Sequence, residues 1–140
     1  MINQSYMINR LIGCLLALIF LPISALFAQV YEGKKLVPTS AFDNIHVQEL
    51  HSDTNSSSYA IWVKNEVRLH KHQHHTEVVV VVQGKGTMSL GDKKQKIKKG
   101  DVVVILPGTP HAVVTTSKKP LIVISIQSPK FEGSDRIWLE

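Results

Sequence analysis

Four histidines and a glutamate fall within the ten residues from Arg68 to Glu77. Neutral imidazole and carboxylate are the side chains that bind catalytic first-row transition metals. The stretch leads directly into five consecutive valines, Val78–Val82, which favour a β-strand. A further histidine, His111, follows a Pro-Gly turn later in the chain. The pattern predicts a metal site at the end of a strand.

The spacing of these residues indicates which of them share one face. His70 and His72 are two residues apart, so a β-strand presents both on the same side. Glu77 starts the next strand after a four-residue connection, and a hairpin would bring its side chain toward the two histidines. With His111 from a separate strand, the set would offer three nitrogens and one oxygen. Such a set suits iron, manganese, nickel, copper, cobalt or zinc and leaves a position for water or substrate.

Short strand-forming segments fill the rest of the chain, separated by glycine, proline and polar turns. No segment after the N-terminal region shows the 3.6-residue period of an amphipathic helix. Many short strands at near-regular spacing predict an all-β domain, an antiparallel sandwich or barrel. Residues 128–140 could add a last strand on the sheet or on a partner subunit. The predicted strands are Asn44–Leu50, Tyr59–Val63, Glu66–His72, Glu77–Gln83, Thr87–Leu90, Gln95–Lys98, Val102–Leu106, His111–Thr115 and Leu121–Gln127.

Two segments are similar to the two sequence motifs of the cupin superfamily. The segment from His70 to Gly84, with its His-x-His pair and glutamate, resembles the first motif. The segment from Gly100 to His111 resembles the second. By this resemblance the chain is identified as a single-domain cupin, an antiparallel double-stranded β-helix or jelly-roll barrel. The resemblance implies one divalent transition metal inside the barrel, held by His70, His72, Glu77 and His111.

The resemblance also bears on which histidines bind the metal, because His72 and His74 form a second His-x-His pair. The family spacing places four residues between the pair and the glutamate, which favours His70 and His72. His74 and His75 are then predicted to be solvated loop residues near the opening of the barrel.

Three residues on strands beside the proposed ligands are candidates for a substrate pocket: Tyr59, Trp62 and Arg68. By strand alternation Arg68 would share the face of His70. A buried arginine normally needs an anionic partner. Two interpretations stay open, the capture of a substrate carboxylate or other anion and pairing with a protein carboxylate at the barrel rim. Trp62 could instead be part of the core.

The N-terminal region predicts export to the periplasm or secretion. Arg10 precedes an apolar run, and the segment that follows ends in the small residue Ala28, which is the pattern of a secretory signal peptide. Residues 1–28 are therefore the predicted signal peptide, 29–43 an irregular lead-in and 44–140 the barrel domain. The apolar run is too short for a membrane span of about 20 residues. Lipidation at Cys14 is the alternative, although most of the apolar run follows that cysteine rather than preceding it.

The charge of the chain is positive but gives no sign of nucleic-acid binding. The net charge is +5, and removing Arg10 with the signal peptide would leave +4. Five lysines fall in the segment Lys93–Lys99 with no aromatic residue between them, whereas nucleic-acid interfaces combine a basic patch with a recognition motif or stacking aromatics. The segment is instead typical of a solvated edge strand.

The function predicted from these features is that of a small exported metalloenzyme, of oxygenase or isomerase type, acting on a polar or anionic small molecule. The alternative is a non-catalytic binding module, a metal or ligand sensor or scavenger.

Since the five valines make their strand apolar on both faces, we also expect the outer face to be covered, and a homodimer would do so.

Overall fold

The computed structural model describes residues 28–33 and 35–140. Its strands belong to one compact unit, Tyr31–Glu140. The predicted signal peptide, residues 1–28, lies outside the described residues except for its last position. Among the described residues, no helix is long and apolar enough to cross a membrane.

Within residues 28–33 and 35–140, ten β-strands form two antiparallel sheets of five strands each. The sheet orders are β1-β2-β9-β4-β7 and β10-β3-β8-β5-β6. The predicted all-β double-stranded β-helix is confirmed, and residues 128–140 do add a strand to the sheet. The strands are β1 (Ile45–Ser52), β2 (Ser57–Val63), β3 (Glu66–His72), β4 (Thr76–Gln83), β5 (Lys85–Leu90), β6 (Lys93–Lys98), β7 (Val102–Ile105), β8 (His111–Thr115), β9 (Leu121–Ser128) and β10 (Arg136–Trp138).

Alternation along the strands builds the hydrophobic core between the two sheets. In β4, Val79 and Val81 point inward and are buried. Leu121 of the same sheet and Met88 and Val113 of the other sheet pack into the same cluster. Burying each such side chain contributes roughly 1.5–3 kcal/mol. In β4 the inward series begins with Glu77 and continues with Val79 and Val81, so the polar group lies at the start of this strand and the apolar core follows it.

The outward face of β4 is also apolar, as its five valines predicted. Val78 and Val80 are only partly buried, and they pair with Val104 and Val102 of the edge strand β7. Val102 and Val104 are 60% and 58% exposed. The homodimer that would cover this face stays a prediction.

β3 lies between β8 and β10 and determines which residues face the interior. Its pairing with β8 is interrupted by a β-bulge between Val67 and His70. A bulge inserts an extra residue and shifts the alternation of side chains. Val67 and His70 consequently both line the interior cavity, whereas Arg68 is exposed. The prediction that Arg68 shares the face of His70 is therefore wrong.

Two turn glycines allow a test of how tightly the barrel closes. Gly84 and Gly100 have φ angles of 83° and 93°, which cost other residues about 1–2 kcal/mol. A Cβ at Gly84 would also lie 2.9 Å from the Pro120 carbonyl oxygen and 2.9 Å from the Ser117 hydroxyl. At Gly100 no heavy atom of the other described residues, apart from the two chain neighbours, lies within 4 Å of such a Cβ.

We expect Gly84→Ala to lower the free energy of unfolding by about 2–4 kcal/mol, because strain and overpacking add. The control Gly100→Ala should lose only about 1–2 kcal/mol, from backbone strain alone. Chemical denaturation of both variants measures the difference. Equal losses would contradict the close approach at Gly84.

Candidate metal centre

Three buried histidines meet inside the barrel at the end opposite the apolar core. His70, His72 and His111 are 4%, 2% and 3% exposed. One ring nitrogen from each lies within 4.8 Å of those of the other two. His70 and His111 are direct partners across β3 and β8, and their ring centroids are 4.1 Å apart. The structure thus brings together three side chains that the sequence separates by as many as 41 positions (111 minus 70).

Glu77 of β4 faces two of these histidines across the barrel. Its Oε2 atom lies 3.6 Å from His72 Nε2 and 3.3 Å from His111 Nε2. Its other oxygen, Oε1, accepts a 2.5 Å hydrogen bond from the Ser125 hydroxyl. The Gln127 amide in turn donates to Ser125. One carboxylate oxygen is therefore fixed by β9, and the other is directed at the imidazoles.

The hydrogen bonds of the imidazoles determine which ring nitrogens are free. Nδ1 of His70 lies 2.8 Å from the Arg68 carbonyl oxygen, and Nδ1 of His111 lies 2.9 Å from the Thr109 carbonyl oxygen. A carbonyl oxygen only accepts hydrogen bonds, so each Nδ1 carries the proton and, in the neutral ring, Nε2 keeps its lone pair. This is the tautomer that a metal-binding histidine needs.

Several of these nitrogens are buried without a partner. Nε2 of His111 and both ring nitrogens of His72 have no hydrogen bond among the described residues. Leaving a buried polar atom unsatisfied costs about 1–3 kcal/mol, and native proteins rarely do so without a reason. A metal ion between Glu77 Oε2 and the Nε2 atoms of His72 and His111 would satisfy those two nitrogens, and three imidazoles with one carboxylate suit a first-row metal. The residues present therefore fit the metal that the sequence predicted.

The ionisation states of the site also favour a cation. Burial, and next to it the charge of His111, lower the pKa of His70 to about 4. Burial raises the pKa of Glu77, but contacts from His111 and His72 and the Ser125 hydrogen bond lower it more, so its pKa lies well below the usual range. At neutral pH His70 is therefore neutral and Glu77 ionised, which are the forms that bind metals.

A buried ion pair lies directly behind His72, where the sequence predicted a solvated loop. His74 is exposed, as expected, but His75 is only 6% exposed and the prediction for it is wrong. Its Nε2 lies 2.7 Å from the Lys130 carbonyl oxygen, and its Nδ1 is hydrogen-bonded to Asp135. Both partners are acceptors, so both nitrogens of His75 carry protons. Burial lowers the pKa of His75, but the hydrogen bonds to Asp135 and Lys130 outweigh it and raise the pKa.

Asp135 ties this ion pair to the proposed ligand His72. Its carboxylate accepts hydrogen bonds from the backbone amides of Gln73, His74 and His75. Its Oδ2 atom also lies 3.9 Å from His72 Nδ1. If His72 binds a metal through Nε2, Nδ1 carries the proton and points it toward this carboxylate. Asp135 is therefore placed as a positioning residue of the kind that orients metal-binding histidines.

Comparison with known proteins bears out the fold. Residues 59–127 match the Cupin_2 family model, described as a cupin domain. That range contains both predicted motifs and all four proposed ligands. The chain belongs to the cupin family.

Two curated relatives of this cupin are both uncharacterized proteins. One, from Methanocaldococcus jannaschii, is 33% identical over 78 residues, which are 56% of this chain and 62% of the relative. The other, from Aquifex aeolicus, is 31% identical over 98 residues, which are 70% of this chain and 80% of the relative. The cupin thus spans less than two thirds of the first relative.

A solved structure from Klebsiella pneumoniae, an uncharacterized protein with a double-stranded β-helix domain, has the same fold. The two superpose with a TM-score of 0.69 at 16% identity. The match covers 81% of this cupin and 99% of that chain. At this identity the likeness shows the architecture alone.

The cavity of this cupin opens beside the histidines and has a volume of about 90 Å³. Apolar side chains from both sheets form most of its wall, and His70, Glu77 and His111 contribute polar groups. The last strand, β10, adds Arg136 and Trp138. The wall of the cavity is therefore mainly apolar, with polar groups from the two histidines, Glu77 and Arg136.

None of the three residues predicted to line the pocket belongs to this wall. Trp62 lies on the opposite face of β2 from the cavity-lining Ile61, where its ring packs 5.4 Å from that of His46. Tyr59 packs edge-on against Phe131. Arg68 is exposed, and its guanidinium lies 4.7 Å from the centre of the Trp138 ring. The alternation of side chains along β2 keeps Trp62 out of the cavity wall, and the β-bulge in β3 keeps Arg68 out of it.

Four residues of the site were not identified from the sequence, although the sequence pattern indicated two of them. Ser125 and Gln127 continue the inward-facing series of β9, so polar residues at those positions indicated a buried polar site. Asp135 and Arg136 follow an irregular segment without periodicity. Only the pairing of β10 with β3 brings them to the site.

We predict that Asp135→Asn weakens metal binding by about 10–100-fold, the usual effect of losing such a carboxylate. Asparagine keeps one acceptor for the backbone amides but removes the charge that faces His72. Glu132→Gln, an exposed change in the same segment, is the matched control and should leave affinity unchanged. Competition titration with a chelator measures both. Equal affinities for the two variants would contradict the role of Asp135.

Proposed function

We propose that this cupin is a metal-dependent enzyme of oxygenase or isomerase type that acts on a small anionic molecule. One divalent transition metal would be held by His70, His72, Glu77 and His111. The observation that supports this most is the group of buried imidazole nitrogens without hydrogen-bond partners that face Glu77. Bound there, the metal would supply Lewis acidity or redox chemistry to a substrate in the cavity.

The titratable residues of the cavity wall bear on the kind of chemistry. Within the described residues they are His70, Glu77, His111 and Arg136. The first three are proposed ligands, and an arginine stays protonated. This wall offers no separate general acid or base. The protein's own contribution would be to hold the ligands, bind the substrate and keep water out of an apolar cavity.

The same observation supports a second candidate, a non-catalytic module that binds a metal or a ligand as a sensor or scavenger. The two candidates differ in turnover. Oxygen consumption and product formation should be screened against small carboxylates and phenolics with the metal-loaded protein. Turnover that disappears with the metal favours the enzyme, whereas saturable ligand binding without any turnover favours the module.

The predicted signal peptide supports export to the periplasm or the medium as part of the proposal. The mature protein would then begin at Gln29, which intact-mass measurement of the natively expressed protein checks. A chain that begins at residue 1, or one lipidated at Cys14, would contradict cleavage after Ala28.

We predict that the purified protein binds about one first-row metal ion per chain. His72→Ala and His111→Ala each remove a ligand and should lower affinity by at least about 100-fold, more than the loss of a supporting residue does. The exposed neighbour His74→Ala is the control and should keep the metal. Elemental analysis with chelator competition measures the outcome. A wild-type protein without metal affinity, or a loss in His74→Ala as large as in His72→Ala, would contradict the site.

A further inference from the structure

Arg136 is a cation that the protein places against the cavity. β10 pairs with β3 so that Arg136 lies opposite His72 and Trp138 opposite His70. Both side chains line the cavity. The Arg136 guanidinium lies near two aromatic rings, 5.4 Å from the centre of Phe131 and 5.5 Å from that of Trp138. These contacts fix the guanidinium without neutralising its charge.

No carboxylate of the described residues lies within ion-pair distance of Arg136, although two acids are close to the site. Glu77 is engaged by Ser125 through one oxygen and faces His72 and His111 with the other. Asp135 is engaged by His75 and by backbone amides. The Nε atom of Arg136 is buried and has no hydrogen-bond partner. Arg136 as a whole is only partly buried, but an anionic ligand in the cavity would give this buried donor an acceptor.

The rest of the cavity wall indicates the polarity and size of the part of the ligand that does not contact Arg136. Beyond the polar groups, its wall is built from aliphatic residues such as Val47, Ile61, Val67 and Met88. An apolar wall favours an apolar ligand body. The volume of about 90 Å³ is well below the roughly 300–1,000 Å³ of pockets that enclose drug-sized ligands. The ligand body is therefore short.

We infer that the ligand of this site is a short-chain organic carboxylate, whose head group is bound by Arg136 and whose aliphatic tail occupies the barrel. A guanidinium binds a carboxylate through two parallel hydrogen bonds. The inference rests on the proposed function, because it names the substrate class of the same cavity. It replaces Arg68, which the sequence had put forward for this role.

The test is isothermal titration of hexanoate and of the neutral hexanamide against the wild-type protein, with and without metal. We expect the acid to bind about 10–100-fold more tightly, the range of a hydrogen bond to a charged group. Acetate, which carries the head group without the tail, should bind more weakly than hexanoate. Equal affinity for acid and amide, acetate binding as tightly as hexanoate, or no binding of either acid, would overturn the inference.

Variants test whether the preference for the acid over the amide depends on Arg136. Arg136→Gln should abolish the preference for the acid, and Arg136→Lys should retain part of it. The control Arg68→Gln changes the exposed arginine that also contacts Trp138 and should leave the preference intact. If Arg136→Gln proves unstable, the Arg136→Lys variant and the wild-type comparison of acid with amide still test whether Arg136 causes the preference. A preference that survives in Arg136→Gln, or disappears in Arg68→Gln, would overturn the assignment.

The two proposals fail in different ways. If the metal-free protein prefers the acid but the protein binds no metal, only the proposed function is wrong. If the metal binds as proposed but the acid preference does not depend on Arg136, only this inference is wrong.

Discussion

The pairing of β3 with its two neighbours is the constraint on which the rest of the site depends. β8 places His111 directly opposite His70, and β10 places Arg136 opposite His72. The β-bulge before His70 sets which side chains of β3 face inward. A register shift of one residue in any of these pairs would send the inward set to the other face. The register therefore fixes both the proposed ligands and the cation beside them.

Desolvation gives this arrangement its chemistry. The barrel removes three imidazoles and a carboxylate from water, and it satisfies only some of their polar atoms. The Ser125 hydroxyl and the Arg68 and Thr109 carbonyl oxygens hold the outer atoms of Glu77, His70 and His111 by hydrogen bonds, and the Asp135 carboxylate lies 3.9 Å from His72 Nδ1. The Nε2 atoms of His72 and His111 have no hydrogen-bond partner in the part of the chain that the structure describes. An inner set of ligands supported by an outer set of hydrogen bonds is the organisation of protein metal sites.

The sequence was most informative about features that depend on neighbouring residues, such as strand alternation and turns. Strand alternation and turn residues located the strands to within a few residues, and the His-x-His spacing put His70 and His72 on one face. The failures have non-local causes. The burial of His75 and the role of Arg136 depend on a segment that contains Asp135, 60 positions further along the chain than His75, and the exposure of Arg68 depends on a bulge that only the pairing with β8 creates. Local strand propensity contains no information on these two long-range pairings. The polar residues Ser125 and Gln127 on the inward face of a strand, by contrast, could have been recognised from the sequence as part of a buried polar site.

The central claim is that one metal ion lies among His70, His72, Glu77 and His111. A crystal structure of the protein loaded with manganese or zinc, with anomalous scattering measured at the metal's absorption edge, tests it most directly. The account predicts one strong peak about 2.0–2.2 Å from Nε2 of each histidine and from a Glu77 oxygen. A peak at His74, or at His75 and Asp135 instead, or no peak inside the barrel, would contradict it.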